Sequence, residues 1–425
     1  MTTAMLCIGD ELLDGRISDT NTRAVARLLR RAGQTLACAS VCPDERPEML
    51  RQIRALARAH DVVLVTGGLG PTQDDLTREV MAQAAGAQLV FEPAAWERMR
   101  ERFEARGLEL TQNNRRQCLF PQGAQLLPND VGSAMGFRVR IDGADFYCMP
   151  GVPSECAWMM EHAVLPHLDV RPPGHTRQFH VFGMAESHVE DALEGIEDMA
   201  QAHDVRVAYC AGAHRIEITL DAPTPEALGP LTQMITRALG PQIVGDEDGD
   251  LRARLAHALT QAGHTVSTAE SCTAGGIAAA LTDRPGSSAW FERGWVTYAN
   301  DAKVDMVGVH PMMLEHFGAV SPQVVLQMAA GAQQRAGSTY ALAVSGIAGP
   351  GGGSAHKPVG TVHFALASPD GCWHMQRVFA GRARAQVRSR TVETALAMLW
   401  WGIEGTLGQR EDVSGPLPAR EVLKG

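Results

Sequence analysis

The chain has 425 residues, of which 45% are hydrophobic, 20% charged and 5% aromatic, with a formal net charge of −10. That length holds about three domains with buried cores, at roughly 100–200 residues each. The acidic balance argues against the broad basic face of nonspecific nucleic-acid binding, and no apolar run reaches the roughly 18–20 residues of a membrane span.

In chain order, Met5–Ile8 reads as a strand, Thr20–Arg31 as a helix, Thr35–Val41 as a strand and Arg46–Ala59 as a helix. Val62–Val65 is an apolar, β-branched strand. This alternation predicts βαβ units and a parallel sheet covered on both faces. Ligands of such sheets gather at the carboxyl ends of the strands. Two polar clusters fall there, Gly9-Asp10-Glu11-Leu12-Leu13 and Gly67-Gly68-Leu69-Gly70-Pro71-Thr72-Gln73-Asp74-Asp75-Leu76-Thr77. The glycines permit amide contact with phosphates, and Thr72 is expected to cap the next helix. Clustered carboxylates suit a hard divalent cation bridging phosphoryl oxygens, although Asp74 or Asp75 alone would equally serve a helix's first turn.

Arg171-Pro172-Pro173-Gly174 reads as a linker. A small α+β module follows: strand Gln178–Phe182, helix Glu186–Met199, strands Val205–Tyr209 and Arg215–Leu220, and helix Pro225–Leu239. From Asp246 helix and strand alternate again, ending in a helix from about Arg384 to Trp401. The last twenty residues, polar with Gly and Pro, are expected to fray.

Strand-like His264–Thr268 runs into Ala269-Glu270-Ser271-Cys272-Thr273-Ala274-Gly275-Gly276 and a helix-compatible Ile277–Leu281. A serine at a strand-to-helix turn has an exposed hydroxyl and, at the helix start, amides for an oxyanion; a simple N-cap serine has the same signature. Cys272 is a rival nucleophile at the same turn. Val344 to Gly353 is a Gly-rich turn after an apolar strand, suited to an anion. Arg382, Arg384, Arg388 and Arg390 cluster near a helix start, where a solvated charged face would look the same. Of 38 basic residues only Lys303, Lys357 and Lys424 are lysines. Lysine can lose its proton in a protein and arginine cannot, so Lys303 and Lys357 stand out amid these motifs. A nucleophilic Ser, a proton-transferring Lys or Tyr, an amide-lined loop and phosphate-binding Arg are the equipment of an amidase acting on a phosphorylated small molecule.

With these motifs in order, residues 264–308 resemble the C-terminal domain of the CinA family, a nicotinamide mononucleotide (NMN) deamidase. The match comprises Ala269 to Thr273, Pro285-Gly286-Ser287-Ser288, Tyr298, Lys303, Val307-Gly308-Val309, Gly346 to Pro350, and Lys357-Pro358-Val359-Gly360. The resemblance implies Ser271 as nucleophile, with Tyr298 and Lys303 activating it. It implies substrate contacts from Thr273, Gly275, Ser345, Gly346, Gly349, Gly351, Arg384 and Arg388, and no metal. Two departures stand out: Ala274 replaces a usual glycine, a mild change if that position is helical, and the spacing before Arg388 is one residue longer. Arg382 therefore remains an alternative to Arg384.

The N-terminal motifs resemble the CinA family's first domain, a molybdopterin-binding-like (MoaB/MogA-type) parallel-sheet α/β fold. Asp19-Thr20-Asn21, Asn113-Asn114, Asn129, Gly132, Gly136 and Pro150-Gly151-Val152-Pro153-Ser154-Glu155 extend that match, and Met135 replaces a usual proline. The resemblance implies a divalent cation (Mg, Mn or Co) on Asp10, Glu11, Asp74 and Asp75. Substrate contacts from Asn21, Gly67, Gly68, Gly70, Thr72 and Asn129 would then serve an ADP-ribose pyrophosphatase. The middle module resembles the family's KH-like insert through Gly183-Met184-Ala185-Glu186-Ser187, but residues 170–245 contain no GxxG, so direct RNA or DNA contact is not expected.

The expected organisation is thus a multidomain α/β chain. Residues 1–168 form the pyrophosphatase domain, 169–245 the KH-like α+β domain, 246–410 a CinA-type α/β deamidase domain and 411–425 a flexible tail. Nine cysteines without a CxxC, and no basic stretch before the first apolar residues, lead to the expectation of a reduced, cytoplasmic protein. The resemblance implies a homodimer acting on NMN and ADP-ribose. The rival readings are a non-enzymatic partner in competence or DNA recombination, and a chain in which only one site is active.

Overall fold

The computed structural model describes residues 1–168, 174–212, 215–246 and 250–424, in two compact units, Met1–Gly174 and His175–Gly425. Alternation along the first strand, Thr3–Ile8, shapes the first unit. Ala4, Leu6 and Ile8 enter one apolar cluster, and Met5 and Cys7 enter a second. Val63 and Val65 part from Val62 and Leu64 in the same way. A strand with both faces buried lies inside a sheet covered on both sides.

That sheet has the order Leu36–Cys42, Thr3–Ile8, Val62–Thr66, Ala144–Met149, Gly136–Ile141, Gln125–Leu127. The first four strands are parallel, as expected, and the last two add an antiparallel edge. Helix Asn21–Arg31 buries Val25 and Leu29, one turn apart, and Arg46–Ala59 buries Met49, Ile53, Leu56 and Ala57.

The second unit contains two sheets. Strands Arg206–Ala211, Arg215–Ala222, His175–Phe182 and Ile243–Asp246 form an antiparallel sheet in that order. The single helix expected over 186–199 is two, Glu186–Ala192 and Ile196–Ala202, parted where Gly195 turns to φ +84°. Residues 179–239 enclose an apolar cluster of their own, and Phe182 and Val244 reach across the expected boundary at 245/246 into the cluster of Leu251, Leu255 and Trp401. The linker expected at 171–173 lies outside the described residues.

The last sheet has the order Phe291–Val296, Val266–Glu270, Tyr340–Gly346, Thr361–Ser368, Gly371–Val378, Val413–Leu417. Its first three strands are parallel and the others antiparallel. One face is alanine-rich, with Ala269, Ala341, Ala343, Ala365 and Ala367 clustering with Val324, Met328 and Ala332 of helix Pro322–Ala336. Small residues let that helix approach closely. A Cβ on its Gly331 would lie 1.7 Å from the Val307 carbonyl oxygen, so glycine there allows the helix Asn300–Val307 to seat against it. This packing fixes the position of Lys303.

The tail is a correction. Residues 411–424 are not a flexible end: Val413–Leu417 extends the sheet, and helix Ala419–Lys424 packs Ala419, Val422 and Leu423 against the alanine-face cluster. Gln327 Nε2 donates to the Val422 carbonyl at 3.1 Å. Those few apolar side chains outweigh the polar composition.

Candidate active sites

Strand Val266–Glu270 is buried throughout, and Ser271 is the first residue beyond it. The Ser271 amide donates to the Val344 carbonyl at 3.0 Å, anchoring the serine at the carboxyl edge of the parallel strands. The chain then reverses through Ala274 at φ +51° and Gly275 at φ +91°. This is the left-handed region, which costs a residue with a Cβ on the order of 1 kcal/mol. The helix begins only at Gly276, with Gly275 at the N-cap. Ala274 is therefore not helical, and Ser271 is not a capping serine.

Lys303 is 1% exposed. Its Nζ donates to the Thr297 carbonyl at 2.8 Å, the Tyr298 carbonyl at 3.2 Å and Ser271 Oγ at 3.4 Å. All three partners are neutral oxygens. Burial holds the Lys303 amine below the ordinary lysine range, opposed only by Cys272. The neighbouring Cys272 is also buried, and burial pushes its thiol up to about 12. A thiol held in that form is a poor nucleophile near neutral pH, so the geometry favours Ser271.

Tyr298 is 57% exposed, and its Oη accepts from Arg384 Nη2 at 3.1 Å. Arg384 Nη1 donates to the Gly349 carbonyl at 2.8 Å, and Arg388 Nη2 to the Thr273 carbonyl at 2.8 Å. Arg384 and Arg388 are thus both brought to the turns around Ser271, while Arg382 is exposed near Arg390. Gly349, at φ +81°, and exposed Gly351 lie in the loop after strand Tyr340–Gly346. A Cβ on Gly346 would meet the Thr361 carbonyl at 2.9 Å. Ser345 is 1% exposed, and its hydroxyl donates inward to the Ala319 carbonyl at 2.6 Å. The Thr273 hydroxyl is likewise engaged, by Glu270 at 2.6 Å. Lys357 Nζ donates to the Phe317 carbonyl at 2.9 Å.

In the first unit the loop after strand Val62–Thr66 carries Gly67 at φ +103° and Gly68 at φ +66°. A Cβ on Gly67 would lie 2.1 Å from the Ile8 carbonyl oxygen, so only glycine lets the loop cross that strand end. The Asp75 carboxylate accepts from the amides of Gly70 at 2.7 Å and Thr72 at 2.8 Å, and from the Thr72 hydroxyl at 2.5 Å. Helix Thr77–Ala84 starts beyond it with Leu76 at the N-cap. Thr72 therefore closes the loop with Asp75 and does not cap the helix. Arg78, 2% exposed, lies beneath the loop and donates to the Leu69 carbonyl at 2.9 Å.

A cavity of about 560 Å³ opens beside this loop, lined by Gly67–Gly70, Glu11, Asn21, Asp44, Asp74 and Asp75 among others. Asn21 Nδ2 donates to the Gly151 carbonyl at 2.7 Å, and its buried Oδ1 has no partner among the described residues. Asp10 is exposed and exchanges hydrogen bonds with Asp44: its amide donates to Asp44 Oδ2 at 3.1 Å, and the Asp44 amide to Asp10 Oδ1 at 3.3 Å. Sequence reasoning missed Asp44. Burial pushes its carboxyl up to about 6, and the charges of Asp10, Glu11 and Asp74 add to the rise. Asn129 is 1% exposed and works inside its own loop, accepting from the Val131 and Gly132 amides and donating to Ala134 and Glu155.

Among the described residues no three His, Cys, Asp or Glu side chains close on one point. Glu11, Asp44 and Asp74 nevertheless share one cavity and crowd negative charge there. Such a set fits a hard cation held by one or two carboxylates and completed by water and substrate phosphate.

Residues 4–170 match the family model described as probable molybdopterin binding domain, and residues 248–401 the model described as CinA C-terminal domain. A CinA-like protein of Geobacter sp. (strain M21) is 43% identical over 404 residues, spanning 94% of this chain and 97% of that protein. The chain belongs to the CinA family. A second CinA-like protein, from Geobacter sulfurreducens, is 41% identical over 409 residues, covering 94% of this chain and 98% of its own length. Among solved structures, the competence/damage inducible protein CihA of Agrobacterium tumefaciens is 53% identical, with a TM-score of 0.34, over 35% of this chain and 90% of that one. In this CinA-family chain no helix among the described residues is long and apolar enough to cross a membrane, and all nine cysteines are free.

Proposed function

We propose that the chain is a bifunctional hydrolase of pyridine-nucleotide breakdown products, an NMN deamidase in its C-terminal part and an ADP-ribose pyrophosphatase in its N-terminal part. The observation that carries the first reading is the buried Lys303 amine 3.4 Å from Ser271 Oγ, with its pKa lowered by burial. A neutral Lys303 accepts the Ser271 proton as Oγ attacks the NMN carboxamide carbon. The tetrahedral intermediate collapses with loss of ammonia, which takes back a proton through Lys303 or the Tyr298 hydroxyl. Water then cleaves the acyl-serine to give nicotinate mononucleotide. Arg384, tied to Tyr298 and to the Gly349 turn, supplies charge-assisted hydrogen bonds for the substrate phosphate. Incubation with NMN should yield equimolar ammonia and nicotinate mononucleotide; ammonia-free or phosphate-cleaved products would contradict this reading.

The second reading rests on the acidic, glycine-lined cavity. The Gly68 and Leu69 amides, which have no acceptor among the described residues, and the unpaired Asn21 Oδ1 suit the diphosphate and a ribose hydroxyl of ADP-ribose. Glu11, Asp44 and Asp74 would hold Mg, Mn or Co, which when bound neutralises phosphoryl charge. Asp75 and Arg78 keep the loop in shape. The expected products are AMP and ribose 5-phosphate, separated by ion-exchange chromatography.

A further inference from the structure

Glu270 has no role in the reaction described above, yet its carboxylate accepts three hydrogen bonds, as many as Lys303 Nζ donates. It is 1% exposed, and no cation pairs with it among the described ion pairs. Its Oε2 accepts from the Thr273 hydroxyl at 2.6 Å and the Ile277 amide at 3.0 Å, and its Oε1 from the Ala278 amide at 2.8 Å. Those two amides belong to the first turn of helix Gly276–Thr282. The helix-start donors expected to face an oxyanion are therefore already bonded to Glu270.

The donors left are in the turn itself. The amides of Thr273 and Gly275 donate to no carbonyl or carboxylate among the described residues, the Cys272 amide meets only its own thiol, and all three lie in the turn that holds the left-handed Ala274 and Gly275. Turns that present successive amides on one side form anion-binding concavities. Glu270 also reaches the other half of the catalytic pair. Its carbonyl accepts from the Thr297 amide at 2.8 Å, and the Thr297 carbonyl in turn accepts from Lys303 Nζ at 2.8 Å.

We propose that Glu270 is a positioning residue of the amidase site: it withdraws the helix amides and holds the Ser271–Gly275 turn so that the turn's own free amides meet the oxyanion. The side chain fixes the nucleophile's turn while the backbone fixes the carbonyl that seats Lys303. The proposal rests on the amidase reading, and the experiment separates the two.

Glu270→Gln, Thr273→Val, Thr273→Ser and Ser271→Ala are assayed in the full chain for ammonia release from NMN. Saturation labelling of Ser271 with a fluorophosphonate counts intact sites. A displaced nucleophile or oxyanion donor lowers turnover without weakening substrate binding. Glu270→Gln should therefore lower kcat per labelled site on the order of 100-fold, with KM changed less than about threefold. Thr273→Val should lower it about tenfold, and Thr273→Ser, which keeps the hydroxyl, should restore it. If Glu270→Gln does not fold, the Thr273 pair decides. Wild-type kcat in both Glu270→Gln and Thr273→Val overturns the proposal, as does a loss accounted for wholly by fewer labelled sites or by KM. An inactive Ser271→Ala beside a fully active Glu270→Gln removes this proposal alone, whereas an active Ser271→Ala removes the amidase reading beneath it.

Discussion

The cavity beside Gly67–Gly70 and the turn around Ser271 occupy equivalent places, each at the carboxyl ends of parallel strands, yet burial creates opposite problems in them. In the first, partial burial of Asp44 among Asp10, Glu11 and Asp74 pushes its carboxyl up to about 6, and no Lys or Arg is among the described residues that line the cavity. In the second, burial of Lys303 among neutral oxygens lowers its pKa and so weakens its hold on the proton that would block its use as a base. The same desolvation favours the neutral form in both. Only the second arrangement thereby gains a reactive group without outside help, which agrees with the metal-dependent and metal-free readings that the family resemblance implies.

The largest expected effect breaks the pair apart. Lys303→Arg, which keeps the charge but cannot be deprotonated, should reduce NMN turnover by about 1,000-fold or more and leave ADP-ribose cleavage intact. EDTA should do the reverse, as followed by AMP formation. Next in size, Asp44→Asn should lower metal-dependent ADP-ribose cleavage by about 10–100-fold and raise the metal concentration for half-activity, because it removes one of the carboxylates proposed to hold the cation. Arg384→Lys should raise KM for NMN about tenfold and leave the phosphate-free nicotinamide riboside unaffected, since lysine lacks the bidentate fork.

The smallest effect tests the desolvation rule at a histidine paired in register with Ser345 and outside the proposed catalytic groups. His363 is 4% exposed and hydrogen-bonds its Nδ1 to His374 Nε2 at 3.0 Å. Burial, followed by the charges of His374 and Lys357, lowers its pKa to about 4. Folded His363 then binds its proton less tightly than the unfolded chain does, at about 6.5. Stability should fall as pH drops from about 6.5 to about 4, by on the order of 2–3 kcal/mol. His363→Gln should flatten that slope in a pH series of thermal melts.

Much of this was legible in the residues. The βαβ alternation fixed the first sheet because strands buried on both faces read as unbroken apolar runs, and Val62–Thr66 is one. A small-residue turn after a strand and a rare lysine are local signals that single out Ser271 and Lys303, and the structure brings the two within 3.4 Å. Other features depend on distant partners. Asp44 sits in an ordinary Pro-Asp-Glu stretch, and only the sheet brings it to Asp10. Ala274 reads as helical by propensity, but the fixed ends of the turn hold it at φ +51°. Thr72 resembles a cap, yet Asp75 claims it first. The tail looked loose because its few apolar residues gain meaning only against helix Pro322–Ala336.

The central claim is that Ser271, activated by Lys303, hydrolyses a carboxamide without metal. Ammonia release from NMN in excess EDTA, by the wild-type chain and by Ser271→Ala, tests it most directly. The account predicts full release by the wild type and a rate indistinguishable from buffer in the variant. Release that EDTA abolishes, or that survives in Ser271→Ala, would contradict it.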